Sequence, residues 1–295
     1  MKRPLVTIGI LFKDPGPLLV SAIKSVFSQT ISDWELILIN DGSKDNSIKI
    51  IEKIKDPRVI IIDDGKHLGL IARLNQIINI SRGEYIARMD ADDMMHPRRL
   101  EEQLRILEGK PEIDVIDTGA FIINKSREPL GIIGIKDQDY KNKMRALKWG
   151  VVLHPSVMAK RRWYENSYYS VGYPRAEDRE LFIRKINTTN IFHLPKPLYY
   201  YLFADNVKAK EYLIGYKSER KVILKYGPRL VGWSRSVYLY LRSILKSGVL
   251  IGLWLIGTEN IINKNKYYPL SDEQKLEAKK TIELIDKTRI PGMEL

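Results

Sequence analysis

The chain has 295 residues, a formal net charge of +13 and no cysteine. Its length accommodates one large domain or a domain with a helical appendage, and 44% hydrophobic with 29% charged residues suits a globular enzyme. The missing cysteines exclude disulfides, thiolate zinc sites and a cysteine nucleophile, as expected in a reducing compartment.

The first residues superficially resemble a secretory signal, but the apolar run is short and Lys13-Asp14-Pro15 breaks it at once. Leu5–Leu11 is therefore predicted to be a buried strand. Leu18–Phe27 follows as a helix, with Leu18, Ala22, Ile23 and Val26 apolar at helical spacing. Glu35–Ile39 and Val59–Ile62 are strands on either side of a helix from Ser47 to Ile54. Leu70–Ile80 is helical, Tyr85–Met89 is a strand, and Pro97 opens a helix to Leu107. This alternation of nearly continuous apolar strands with helices predicts an α/β fold with a mostly parallel sheet covered on both faces.

The middle of the chain changes character. Ile113–Thr118, Ala120–Ile123 and Leu130–Ile135 are strand candidates, and Asn124–Pro129 is a loop. Asp137–Trp149 and Glu177–Lys185 are predicted helices. Val151–Ala159, Asn190–His193 and Leu198–Phe203 are predicted strands. From Val207 the pattern is helical, with breaks near Gly227-Pro228 and Tyr268-Pro269. Between Val207 and Tyr267 there are 12 basic and 3 acidic residues, a local excess of +9 (12 minus 3). Such a segment suits phosphates of a membrane or nucleic acid, or simply a solvated helical surface. The longest apolar stretch, Gly248 to Gly257, is about half the length of a membrane span.

Two acidic clusters directly follow apolar strands: Asn40-Asp41-Gly42-Ser43 and Asp90-Ala91-Asp92-Asp93. A parallel sheet brings both to one edge, where ligands gather. Three carboxylates in four residues repel one another and invite a hard divalent cation, Mg²⁺ or Mn²⁺; an Asp-rich turn capping the next helix gives the same pattern. Asp41 is equally at home in an ordinary Asp-Gly-Ser turn. A third acidic pair, Glu177-Asp178, opens a helix. It is either a favourable complement to the helix dipole or the source of a general base. If the three loops serve one reaction, Asp41, Asp92 and Asp178 converge on a single pocket.

Taken together, these words resemble glycosyltransferase family 2. The resemblance runs from Leu5 to Phe203 through Val6–Ile10, Ala22–Thr30, Trp34–Ser43, Ala72–Asn75, Gly83–Ile86, Met89–Asp93, His154–Met158 and Glu177–Leu181. It implies a GT-A fold, a Rossmann-like mixed, mostly parallel sheet with flanking helices, here with a C-terminal helical extension. Residues 1–205 would form the catalytic domain, 1–110 holding the nucleotide sugar and 111–205 the acceptor. Residues 206–295 would form a helical, basic C-terminal region.

The implied activity is inverting transfer of a sugar from a nucleotide-diphosphate donor, foremost a UDP-sugar, to an acceptor hydroxyl in surface polysaccharide or glycan synthesis. Leu11, Asp14, Asp41, Arg73 and Asp90 would bind the donor. Asp92 and Asp90 would ligate Mg²⁺ or Mn²⁺. Glu177 and His154 would face the acceptor, and Asp178 would be the catalytic base. The chain departs from the family's pattern at Lys13, where an aromatic residue is common, and after Tyr199-Tyr200-Tyr201, where a histidine often follows.

The implied partners are the donor and a glycan or lipid-linked glycan acceptor. Membrane-surface contact is expected through residues 230–257, where Arg235, Arg242 and Lys246 share a helical face; packing on the catalytic domain gives the same pattern. The expected place is cytoplasmic, peripheral on the membrane's inner face. No specific nucleic-acid partner is expected, because neither zinc spacing nor an aromatic-basic signature word is present. A sugar-phosphate nucleotidyltransferase and a non-enzymatic nucleic-acid-binding protein are the competing readings.

Overall fold

The computed structural model describes residues 3–136, 139–203, 209–258 and 267–293. Its frame is a nine-stranded mixed sheet whose first half obeys the apolar pattern closely. β1 (Val6–Phe12), β2 (Trp34–Asn40), β3 (Val59–Ile62) and β4 (Tyr85–Asp90) are parallel, in the order β3-β2-β1-β4. β1 and β2 are almost wholly buried, as strands covered on both faces must be. The helices α1 (Leu18–Phe27), α2 (Ser47–Ile51) and α3 (Leu70–Ile80) connect them. Gly9 explains how closely α3 approaches: a Cβ at that position would lie 2.5 Å from the Ile77 side chain.

The sheet changes direction after β4. The two-residue β5 (Met94–Met95) and α4 (Arg99–Gly109) lead into β6 (Val115–Ile123). β7 (Pro129–Ile133) pairs antiparallel with β6, and α5 (Lys143–Trp149) follows. The predicted strands Ile113–Thr118 and Ala120–Ile123 are thus one strand. The predicted strand Val151–Ala159 is not formed. A 3₁₀ turn at His154–Ser156 interrupts it around Pro155, leaving only β8 (Met158–Lys160). β8 lies antiparallel between β4 and β6.

After α6 (Arg161–Tyr164) and α7 (Glu177–Lys185), the strands predicted around the two prolines also merge, into β9 (Ile191–Leu202). β9 runs parallel to β6, and Gly119 pairs with Pro197 directly after Thr118 pairs with Leu194. The residues between form an irregularity that accommodates prolines unable to donate to the ladder.

Helix α5 is shorter than predicted; Asp137 lies outside the described residues, as does Val207, the expected start of the helical region. α8 (Ala209–Val231) continues through Pro228, and the break falls at Gly232, where φ is +85°. α9 (Trp233–Leu255) folds back along α8. The approach is close, since a Cβ on Gly227 would lie 2.6 Å from Ser236 Oγ. Past the undescribed stretch, Tyr268 bridges to Ile132 of β7. α10 (Asp272–Lys287) starts on a Ser271–Gln274 capping box. It buries Ala278, Ile282 and Ile285 against Phe121 and Tyr200.

The loops at the carboxyl edge are fastened by carboxylates. Asp41 is 3% exposed. Its oxygens accept bonds from Leu68 N (2.7 Å), Gly69 N (3.1 Å), Arg73 Nε (3.0 Å) and the His67 ring (2.7 Å). Arg73 is fully buried and also grips Asp64 and the Lys66 carbonyl. Asp14, at φ +49°, accepts from Lys44 N and Asp45 N, tying the loop after β1 to the loop after β2.

Burial raises the Asp41 pKa, but the bonds from Leu68, Arg73, Gly69 and His67 outweigh it and hold the carboxyl below its ordinary 3.8. The resulting stabilisation is complete above that value and is lost as pH falls through the lower folded pKa. Asp41→Asn replaces an acceptor with a donor and is expected to cost roughly 1–3 kcal/mol near neutrality. The gap to the unmodified protein should shrink on acidification, which urea unfolding at both pH values measures; an unchanged gap would mean that the charge contributes nothing.

Candidate active site

β1 has β2 on one side and β4 on the other, so the chain diverges at the carboxyl ends of β1 and β4. Such a divergence opens a crevice, and a cavity of about 720 Å³ lies beside it. Asp90, Asp92, His154, Glu177 and Asp178 line it together with Asp93, Arg88 and Arg175. Residues far apart in sequence therefore meet at one place. Asp41 does not join them: of the three carboxylates expected to converge, only Asp92 and Asp178 share this cavity. Leu11, Asp14 and Arg73 also lie outside its lining. Leu11 pairs with Asp90 across β1 and β4, and Leu70, following the turn that Asp41 holds, lines the cavity.

The acidic turn after β4 is organised by Arg88. Arg88 and Asp90 are two apart on a strand, so their side chains leave the same face. The guanidinium is buried and meets Asp90 at 2.8 Å, while its Nε has no hydrogen-bond partner. Desolvation would lower the Arg88 pKa, but the Asp90 charge and other nearby anionic groups raise it, so the arginine stays charged.

Desolvation, followed by the Asp90 charge, pushes the Asp92 carboxyl up. Asp93 is pushed further up by burial and by both neighbouring carboxylates. Its Oδ1 accepts from Leu202 N at 2.8 Å, but its Oδ2 is buried without a partner. Among the described residues no three His, Cys, Asp or Glu side chains group as a preformed metal site. The observed set is nevertheless compatible with Mg²⁺ or Mn²⁺: hard oxygens, excess negative charge and an orphan buried oxygen. Such ions take one or two carboxylates and complete their shell with water and phosphate.

Glu177 and Asp178, which also line the cavity, occupy the first turn of α7. Glu177 is buried, and desolvation with the adjacent Asp178 charge raises its pKa. Asp178 is half-buried and open to the cavity. His154 is buried, and burial together with the Arg88 charge pushes its pKa well down, so the ring is neutral. Its Nε2 lies 2.7 Å from Tyr169 Oη. Asn75 fixes the Tyr169 backbone from α3 through two bonds, 3.0 and 2.9 Å long.

Sequence reading did not single out Arg88, Arg175, Tyr201, Phe203 or Tyr212, all of which line the cavity. Arg88 was detectable as a charge in an otherwise apolar strand two places before Asp90. The aromatic lining from β9 and the start of α8 carries no such signal.

The profile of glycosyl transferase family 2 matches residues 7–167, more than half of the chain. An uncharacterised glycosyltransferase of Methanocaldococcus jannaschii, MJ1057, is 31% identical over 191 residues, covering 63% of this chain and 66% of that protein. The chain thus spans just under two thirds of that relative's length, and only 40% of the length of a putative Bacillus subtilis glycosyltransferase, EpsE. Among solved structures, residues 1–349 of S. aureus TarS in complex with UDP-GlcNAc superimpose with a TM-score of 0.61 at 15% identity. That match covers 81% of this chain and 71% of the other. The Pyrobaculum calidifontis mannosyltransferase PcManGT, in complex with GDP-Man and Mn²⁺, gives 0.60 at 12% identity, covering 97% and 87%. These likenesses establish the GT-A-like fold, and the profile match over more than half of the chain establishes its kinship: the protein belongs to glycosyl transferase family 2.

Proposed function

We propose that the protein is an inverting glycosyltransferase that moves a sugar from a nucleotide-diphosphate donor, foremost a UDP-sugar, to a glycan hydroxyl in polysaccharide synthesis. The observation that carries this reading is that Asp92, in the turn after β4, and Asp178, in the first turn of α7, line one cavity. TarS with UDP-GlcNAc supports a UDP-sugar donor. Residues 1–110 supply the donor half and 111–205 the acceptor half. Asp41, Arg73, Asp14 and Leu11 act on the donor through the loops and strand that they hold in place.

Asp178 is the group placed to take the proton. The acceptor oxygen attacks the anomeric carbon, its proton passes to the Asp178 carboxylate, and the bond from that carbon to the diphosphate breaks. The bonding electrons leave with the nucleoside diphosphate. Attack opposite the leaving group inverts the configuration. Glu177, with its raised pKa, and the neutral His154 offer hydrogen bonds that orient the acceptor. Asp92 and Asp90 would hold Mg²⁺ or Mn²⁺, a choice supported by PcManGT with Mn²⁺. Such an ion would neutralise the departing diphosphate. Peripheral membrane contact through residues 230–257, on the cytoplasmic side, and a lipid-linked acceptor belong to the same reading.

Hydrolysis of a nucleotide-sugar panel with Mn²⁺ identifies the donor; no turnover and no nucleotide binding across the panel would overturn the assignment. Asp178→Asn is expected to lower transfer by about 100-fold or more, the usual contribution of a positioned base, while calorimetry shows UDP binding retained. Full transfer by that variant would remove Asp178 from the role. Asp92→Asn should abolish the Mn²⁺-dependent increase in donor turnover, and an increase equal to that of the unmodified protein would place the ion elsewhere.

A further inference from the structure

A second cavity, of about 340 Å³, adjoins the first, and the two share Val152, Arg175, Asp178 and Tyr212. Its volume is near the lower bound, about 300 Å³, of cavities that hold small molecules. It therefore has room for little more than one sugar ring beyond Asp178.

Much of its lining is a single face of α8. Glu211, Tyr212, Gly215, Tyr216 and Glu219 line the cavity, at the spacings of three and four that bring residues to one side of a helix. One turn further on, the same face is apolar, and Val222 and Ile223 are buried. A helix that merely packs on a domain keeps its inward stripe apolar throughout. Here the stripe changes to tyrosine and glutamate where it meets the cavity. α8 also lies beyond residues 7–167, the part of the chain that matches the family. Trp149 at the end of α5, Asp178 and Arg179 at the start of α7, and Lys246 of α9 complete the lining with Arg175.

The charges of this lining balance. Arg175, Arg179 and Lys246 face Asp178, Glu211 and Glu219, three cations against three carboxylates. The cations are already engaged by protein. Arg175 Nε donates to Glu211 Oε2 at 2.6 Å. Arg179 Nη1 lies 2.8 Å from Glu219 Oε1, an ion pair without the alignment of a hydrogen bond. Lys246 Nζ is 4.0 Å from the same carboxylate. An incoming anion would have to displace Glu211 or approach Glu219, and a cation would meet carboxylates that are already neutralised. Hydroxyl groups disturb neither, since each can donate to a carboxylate and accept from a guanidinium.

The rings add a second requirement. Tyr212 and Tyr216 are half-buried, and Lys246 Nζ sits 5.4 Å from the Tyr216 ring centroid. The face of an aromatic ring is electron-rich and attracts positive edges. The C–H bonds on the face of a pyranose, polarised by the ring's oxygens, are such edges. Tyrosine rings beside carboxylate–arginine pairs thus match both surfaces of a sugar, its C–H face and its hydroxyl rim.

We infer that α8 builds a second sugar subsite. The reacting sugar of the acceptor lies at Asp178 beside Tyr212. The sugar that precedes it occupies the second cavity against Tyr216, with Glu211, Arg175 and Lys246 at its hydroxyls. The acceptor is then an uncharged saccharide of at least two units. The assignment rests on Asp178 being the catalytic base.

Calorimetry in the presence of UDP and Mn²⁺ tests it, comparing the methyl β-glycosides of glucose, galactose and N-acetylglucosamine with cellobiose, lactose and diacetylchitobiose. At least one disaccharide is expected to bind about tenfold more tightly than the monosaccharide that ends it, the size of one aromatic contact. Tyr216→Leu should remove that difference, whereas Tyr216→Phe, which keeps the ring, should preserve it. Thermal unfolding verifies the fold of both, and the comparison on the unmodified protein stands without either. Equal affinity within every pair, no binding of any disaccharide, or a difference that survives Tyr216→Leu would each overturn the inference. UDP calorimetry on the unmodified protein separates the two levels: UDP bound without a preference for a disaccharide sinks this inference alone, whereas no UDP binding sinks the transferase assignment.

Discussion

A guanidinium buried in a sheet must be paired, because desolvating an isolated charge costs several kcal/mol. Arg88 imposes that condition on the centre of this molecule. Its partner Asp90 is thereby fixed at the end of β4, and the turn carrying Asp92 and Asp93 starts from a defined place. Neighbouring elements reinforce the arrangement. Tyr199 Oη accepts from Asp90 N, and Arg99, fully buried in α4, donates to the Arg88 carbonyl. One ion pair thus couples β4, β9 and α4 at the point where three acidic groups crowd together.

The charges of the site divide by task. Asp41, Asp14 and Asp64 lie at the carboxyl edge as well, but they hold protein: Asp41 and Asp64 share Arg73, and Asp14 holds backbone amides. Asp92 and Asp93 are left short of such partners, and their raised pKa values express the same shortage. Carboxylates saturated by internal donors give rigidity. Those left unsatisfied keep the capacity to bind something from outside.

The first half of the fold was legible because its strands are buried on both faces and read as unbroken apolar runs; α3 falls at its predicted limits. The second half was less so. Pro155 breaks one expected strand, whereas Pro195 and Pro197 are absorbed within another by an irregular register. Pro228 is likewise tolerated within α8. A proline removes a donor in each case, but only tertiary context decides whether the loss ends the element. The site was legible to the extent that strand ends announce it. That Asp41 is engaged by four protein donors depends on where residues 64–73 fold back, which no local pattern records. The orientation of α9 was also hidden: Arg242 and Lys246 were expected on one face, and they are, but the ring that they border belongs to α5.

The last described helix is no appendage. α10 fills a space over Phe121 and Tyr200, Lys24 Nζ of α1 donates to the Asp286 carbonyl, and Lys55 N donates to the Pro291 carbonyl. The segment from α10 to Pro291 thus clasps α1, the loop before β3 and the β6–β9 face of the sheet at once. Deleting everything after α8 would strip the floor from a hydrophobic cluster as well as remove α9. A truncated protein would be reporting a damaged interior, so the outer face of α9 is interrogated by side-chain substitutions in an otherwise intact chain.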